Sequence, residues 1–164
     1  IRMIRDHGQA QKYYHDIEGY NGRLDAIQAG ILSAKLKRLP GWTEARQQCA
    51  ARYNEMLQGM EDIIAPVEHD WSKSVYHLYV IRTAKRDDLR RYLSDRHIDT
   101  GLHYPLPLHQ QKAYHDVKVC CGTLDVSEHV AKELLSLPMF PGLTEKQQMA
   151  VVDGIQECFK RISV

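Results

Sequence analysis

The stretch Gly19-Tyr20-Asn21-Gly22-Arg23-Leu24-Asp25-Ala26-Ile27 sets a polar loop, carrying an amide and a guanidinium, directly ahead of a long apolar-periodic helix. From Arg23 onward, Leu24, Ile27 and Ile31 fall on one side while Leu32, Leu36 and Leu39 turn towards another. Together they cover roughly 180° of the helix, wider than the ~100° stripe of a helix lying on a single core. Such a helix demands partners on two sides: its own domain on one, and a further domain or a second subunit on the other. Its start also has an electrical consequence. Free backbone N–H groups and the positive end of the helix dipole favour an anion there, phosphate above all.

The 164 residues are enough for one domain with a core of its own. Lys and Arg number 22 against 21 Asp and Glu, a net charge of +1, so no global field draws the chain to nucleic acid or an anionic membrane. No uninterrupted apolar run is long enough to cross a bilayer and no signal peptide is evident, which makes the cytoplasm the expected compartment. Cys49, Cys120, Cys121 and Cys158 show no CxxC pair, so neither a zinc site nor a disulfide framework is indicated. Reduced, mostly buried thiols are expected, with the adjacent Cys120-Cys121 as the candidate reactive pair. The chain starts at Ile1 and opens within helix-like sequence that stops at Gly8, a C-cap candidate. We therefore expect the carboxyl-terminal part of a longer protein.

Residues 9–22 read as a polar-aromatic loop containing Tyr13, Tyr14, His15 and Tyr20. Pro40-Gly41 breaks the long helix, and a second helical segment is expected from Thr43 to Leu57, with Gly59 as its stop. The residues from Ser74 to Ile81 are rich in β-branched and aromatic side chains and predict a strand. Asp87 is the expected cap of a short helix bearing Leu89 and Leu93. A second strand is predicted from Ile98 to Tyr104, ended by Pro105 and Pro107. Asp125 with Glu128, and Thr144 with Gln147, have the spacing of capping boxes. The first precedes a helix with Val130, Leu134 and Leu135; the second precedes Val151, Ile155 and Phe159, four apart on one face. A short edge strand is expected at Ser136–Met139. The sum is a long helix and a small sheet covered by helices.

These segments resemble one family nearly end to end. Arg5-Asp6-His7-Gly8-Gln9 and the run from Gly19 to Ala29 are similar to the central signature of the DegT-type, pyridoxal-phosphate-dependent aminotransferases of nucleotide-linked keto-sugars. Lys35-Leu36 through Trp42, Arg46 and Ala50-Ala51-Arg52-Tyr53 resemble its linking helix, and His77-Leu78-Tyr79-Val80 its first small-domain strand. Thr100-Gly101-Leu102-His103-Tyr104-Pro105 with Pro107-Leu108-His109 is similar to a later loop; Leu135 to Met139 and Leu143-Thr144 resemble the closing segment. The Tyr-Tyr-His segment is most similar to members that aminate thymidine-diphosphate-linked 3-keto-6-deoxyhexoses.

The resemblance implies an α/β protein of fold-type-I aminotransferase architecture, seen here from its carboxyl-terminal side. Residues 1–22 would end the large cofactor-binding domain and supply a cofactor-contacting loop. Residues 23–58 would form the linking helix pair, and 59–164 an α+β small domain. It also implies pyridoxal 5'-phosphate (PLP) as cofactor and a homodimer whose active sites are completed across the subunit boundary. The family's Schiff-base lysine lies upstream of the opening helix. None of the lysines here matches its motif, so this chain has no candidate catalytic residue and should be inactive alone.

Among binding candidates, Asn21 matches the family asparagine that reaches the neighbouring subunit's cofactor phosphate; as a residue before a helix it could equally be an N-cap. Arg23 offers a planar fork to phosphate or carboxylate, or a partner for Asp25 or Glu18. His15 and Tyr20 share that loop and are candidates for the partner's substrate site, or local packing. His103 and Tyr104 resemble the loop near the sugar, with a satisfied structural histidine as the other possibility. His109 has a fainter claim of the same kind. No metal is expected, and Trp42 and Trp71 read as packing residues.

Two rival readings stand beside the aminotransferase. Some relatives replace the Schiff-base lysine by histidine and remove a sugar hydroxyl instead. A non-catalytic α+β binding or assembly module is the other. An upstream reading frame passing through a lysine would exclude the module.

Overall fold

The computed structural model describes residues 1–114 and 122–162, so the Cys120-Cys121 pair lies outside the described residues. The chain divides into two compact units, Ile1–Pro40 and Gly41–Val164.

In the first unit a single helical turn, α1 (Arg2–Arg5), is closed by backbone in left-handed conformation. His7 has φ 58° and Gly8 φ 76°, and the Gly8 N–H donates to Met3 O at 2.8 Å, a Schellman-type closure. Gly8 is thus part of the stop, with Asp6 as the capping residue itself. Residues 20–22 are then strapped to this turn. The His7 N–H donates to Tyr20 O (3.0 Å), the Tyr20 N–H to Ile4 O (2.7 Å) and the Gly22 N–H to Arg5 O (2.8 Å). The approach is so close that a Cβ on Gly19 would stand 2.1 Å from the Gly8 nitrogen, and one on Gly8 1.7 Å from Ile17 O. Both glycines are therefore required by the backbone contact, not by flexibility.

The segment read as loop contains a small antiparallel hairpin, β1 (Gln9–Gln11) and β2 (Tyr14–His15). Its turn carries Tyr13 at φ 71° in place of the glycine or asparagine that marks most hairpins. The following helix, α2 (Ala26–Leu36), begins three residues later than Arg23 because Asp25 caps it. Asp25 Oδ1 accepts from the N–H groups of Ile27 (2.9 Å) and Gln28 (3.2 Å). No residue of α2 is buried, and Leu24, Ile27, Ile31, Leu32, Leu36 and Leu39 are each at least half exposed.

The break after α2 falls at Lys37-Arg38, not at Pro40-Gly41. Pro40 sits instead in the first turn of α3 (Leu39–Leu57), where a missing N–H costs nothing because first-turn donors have no intrahelical acceptor.

The second unit packs α3, α4 (Arg86–Ser94) and α6 (Glu145–Ile162) around an antiparallel pair, β3 (Tyr79–Arg82) and β4 (Leu134–Leu137), with α5 (Asp125–Glu133) leading into β4. Tyr79 pairs with Leu137 and Arg82 with Leu134. The core gathers Tyr53 and Leu57 from α3, Tyr79 and Ile81 from β3, Leu89 and Leu93 from α4, Leu135 and Leu137 from β4, and Val151, Ile155 and Phe159 from α6. Each of the larger aliphatic side chains contributes about 1.5–3 kcal/mol by leaving water.

Several predicted elements are corrected by this core. The strand expected at 74–81 is confined to 79–82, because Tyr76 has φ 44° and the carbonyls of Tyr76 and His77 each accept from Arg46 Nη1 at 3.3 Å. Ile98–Tyr104 contributes one bridge, Gly101 to Ser136, rather than a strand. The closing strand starts at Leu134, draws in Leu134 and Leu135 from the predicted helix, and is bonded on both sides, so it is not an edge. Asp87 lies inside the first turn of α4, with Lys85 at the cap position. Asp125 is the first residue of α5, and Glu128 pairs with His109 instead of closing a capping box. The Thr144–Gln147 box forms: the Thr144 N–H donates to Gln147 Oε1 (2.9 Å) and the Gln147 N–H to Thr144 Oγ1 (3.3 Å). Cys49 and Cys158 are buried free thiols. Trp71 is exposed and stacks on His69, not in a core.

Candidate functional site

The first cluster of candidates is built on the strap of residues 20–22. Asn21 pairs with Asp6 in an isolated antiparallel bridge, which fixes its backbone against α1. With Asp25 at the helix cap, Asn21 is not the N-cap. Its Oδ1 accepts from Arg23 Nε at 3.3 Å, so the acceptor end of the amide is occupied and the Nδ2 donors are left over. Among the described residues no carboxylate pairs with the Arg23 guanidinium. Asp25, one of its two anticipated partners, is engaged by the helix. The result is an exposed set of amide and guanidinium donors one turn ahead of α2.

That donor set suits a phosphate. It combines a neutral N–H donor with a guanidinium, while the helix start itself is taken by the Asp25 carboxylate. These residues fit the phosphate of PLP, and no lysine here matches the family's Schiff-base motif.

The hairpin positions the neighbouring candidates. His15 Nδ1 lies 2.8 Å from His7 O; since a carbonyl only accepts, that nitrogen donates, and Nε2 makes no hydrogen bond to any described residue. Tyr20 is tied by both backbone groups, and its side chain is 77% exposed, so the phenol is held out by a rigid main chain. Tyr13 and Tyr14 are exposed beside it.

The second cluster lies in the other unit. His103 Nδ1 is 2.9 Å from Ser136 Oγ, and the Tyr104 ring meets the His103 ring edge-on at 5.6 Å between centroids. His103 therefore has a structural partner and still presents an exposed ring. His109 Nε2 is 2.9 Å from Glu128 Oε1, which ties the short 3-10 turn Leu108–Gln110 to α5. A cavity of about 760 Å³ opens beside that pair, walled by Leu106, Leu108, Val126, Val130 and Leu134. Ser136 was expected only as part of a short strand and Glu128 only as a capping-box partner of Asp125. Their partners lie 33 and 19 residues away, and no spacing rule links them. Among the described residues, no three His, Cys, Asp or Glu side chains converge on a metal-sized site.

Comparison with known proteins gives these clusters a setting. Residues 1–156 match the DegT/DnrJ/EryC1/StrS aminotransferase family. A "Pleiotropic regulatory protein" of Geobacillus stearothermophilus is 44% identical over 99% of this chain and 44% of its own length. The "dTDP-3-amino-3,4,6-trideoxy-alpha-D-glucose transaminase" of Streptomyces venezuelae is 40% identical over 99% of this chain and 43% of its own. Among solved structures, S. venezuelae DesV superimposes with a TM-score of 0.89 at 40% identity, covering 95% of this chain and 42% of that one. The chain thus spans less than half the length of the relatives it matches, and its fold is the carboxyl-terminal portion of theirs.

Proposed function

Because this chain belongs to the DegT/DnrJ/EryC1/StrS aminotransferase family, we propose that it is the carboxyl-terminal portion of a PLP-dependent enzyme that moves an amino group, from glutamate, onto a nucleotide-linked keto-deoxysugar. A thymidine-diphosphate-linked 3-keto-6-deoxyhexose is the substrate this reading favours, in keeping with the names of two similar transaminases. The parent acts in the cytoplasm as a homodimer.

The observation that carries the reading is the exposed Asn21–Arg23 donor pair, locked to α1 and set before a capped helix. In the dimer Asn21 Nδ2 and the Arg23 guanidinium hold the phosphate of the cofactor bound in the neighbouring subunit. When bound, PLP supplies the electron sink that lets an amino group leave one carbon and join another. This chain's share is to bind and orient. Asn21 and Arg23 fix the phosphate; His15 on the hairpin and Tyr20 on the strap reach the neighbour's substrate; His103 and Tyr104 contact the sugar nucleotide. A phosphate held by fixed donors keeps the reactive ring from wandering, which is worth rate as well as affinity.

The test uses the full-length protein. Asn21→Ala should raise the dissociation constant for PLP about tenfold, as expected for losing one hydrogen bond to a charged group. Unchanged cofactor affinity, measured by absorbance titration of the apoprotein, would overturn the assignment of Asn21.

A further inference from the structure

His103 lies on a segment with no regular secondary structure, yet its ring is not left to the loop. Three observations converge on how it is held. Ser136 stands on β4 and is 4% exposed, and its hydroxyl is 2.9 Å from His103 Nδ1. The same serine is bonded through its backbone to the base of the loop: the Ser136 N–H donates to Gly101 O at 2.8 Å and the Gly101 N–H to Ser136 O at 3.0 Å. The ring also lies against Gly101 itself, where an added Cβ would stand 2.5 Å from His103 Cε1. On β4, Leu135 and Leu137 face the core, so the alternation of a strand puts Ser136 on the opposite face with Leu134.

We infer that Ser136 is a positioning residue, which from a buried strand fixes the ring of His103 so that Nε2 is presented to the sugar-nucleotide substrate. The inference rests on the reading of His103 as a substrate contact. A serine hydroxyl donates or accepts as required, so it holds Nδ1 whichever way the ring is protonated. Nε2 makes no hydrogen bond to any described residue and is available to a ligand. Gly101 is the second half of the device, because only a residue without a Cβ lets the ring come this close to the loop base. Both requirements act on the histidine; neither residue needs to touch substrate.

The experiment is a double-mutant cycle in the full-length, PLP-loaded enzyme, with glutamate and a thymidine-diphosphate-linked 3-keto-6-deoxyhexose. Ser136→Ala should raise KM for the keto-sugar about tenfold while kcat changes less than about threefold, the pattern of lost substrate binding. In a His103→Ala background the same change should add nothing, because the group it positions is gone. Gly101→Ala should reproduce the KM rise with little loss of thermal stability, since the ring can swing away from the new methyl. It also serves if Ser136→Ala does not fold. A Ser136→Ala effect that persists in the His103→Ala enzyme, or a normal KM in Ser136→Ala or Gly101→Ala while His103→Ala is impaired, would overturn the positioning role. A normal KM in His103→Ala would instead remove the substrate contact on which it rests.

Discussion

Two buried phenols show what single residues do in the core. Tyr53 donates to Pro138 O at 3.2 Å, and Tyr79 donates to Asn54 Oδ1. Burial pushes both hydroxyls above the ordinary tyrosine value, with smaller contributions from Cys49 beside Tyr53 and from Tyr76 and Tyr53 beside Tyr79. In the unfolded chain each phenol loses its proton near pH 10 while the native state keeps it. Stability from this source is therefore complete below pH 10 and lost above it, at about 1.4 kcal/mol per pH unit for each phenol. Urea unfolding at pH 9, 10 and 11 should show that decline, and Tyr79→Phe should roughly halve the share due to this pair. A flat stability curve through pH 11 would mean the phenols are not protected. At this scale the sequence was readable only where one residue type has one job. Asn21 and Arg23 stood out as candidate donors in the sequence, and the structure adds that they are bonded to each other. The histidine partners of Ser136 and Glu128 were invisible, because they lie far along the chain.

Among the elements, α6 and α3 are joined by one fully buried polar side chain. Gln148 donates through Nε2 to Cys49 O at 2.8 Å, and its Oε1 accepts from Arg52 Nε at 2.7 Å. Replacing it by leucine keeps the volume but strands both partners, so Gln148→Leu should cost about 2 kcal/mol in denaturant unfolding. A loss under about 0.5 kcal/mol would show that the pair of bonds is replaceable. Elements whose signal is local were legible. The Thr144–Gln147 box and the four-residue spacing of Val151, Ile155 and Phe159 placed α6 correctly. Elements decided by tertiary partners were not. Arg46 draws off the carbonyls that would have extended β3, Glu128 is claimed by His109, and Asp25 outcompetes Asn21 for the start of α2. The hairpin β1–β2 was missed because Tyr13, not glycine, takes its left-handed turn position.

At the largest scale, the outstanding fact is that no residue of α2 is buried within its own compact unit. Its wide apolar arc, legible from the first reading, stays exposed along Ile27, Ile31, Leu32 and Leu36. An unpartnered apolar surface of that kind drives association. Produced alone, residues 1–164 should sediment as dimers or larger species, and Ile27→Glu with Ile31→Glu should shift them towards monomer. A well-behaved monomer of the unaltered chain would contradict this. Among the described residues no helix is long and apolar enough to cross a membrane.

Whether Asn21 serves the neighbour's cofactor, as proposed, or its own subunit's is decided by subunit mixing. One full-length variant carries Asn21→Ala; the other lacks the upstream lysine that holds PLP. Assayed with PLP held well below the dissociation constant, the Asn21→Ala homodimer should keep about a tenth of normal activity and the lysine variant none. In a mixed dimer, the account predicts that one site regains both the lysine of one subunit and the asparagine of the other, so transaminase activity returns towards about half the normal value per dimer. No recovery from verified mixed dimers would place both groups in the same subunit and contradict the account.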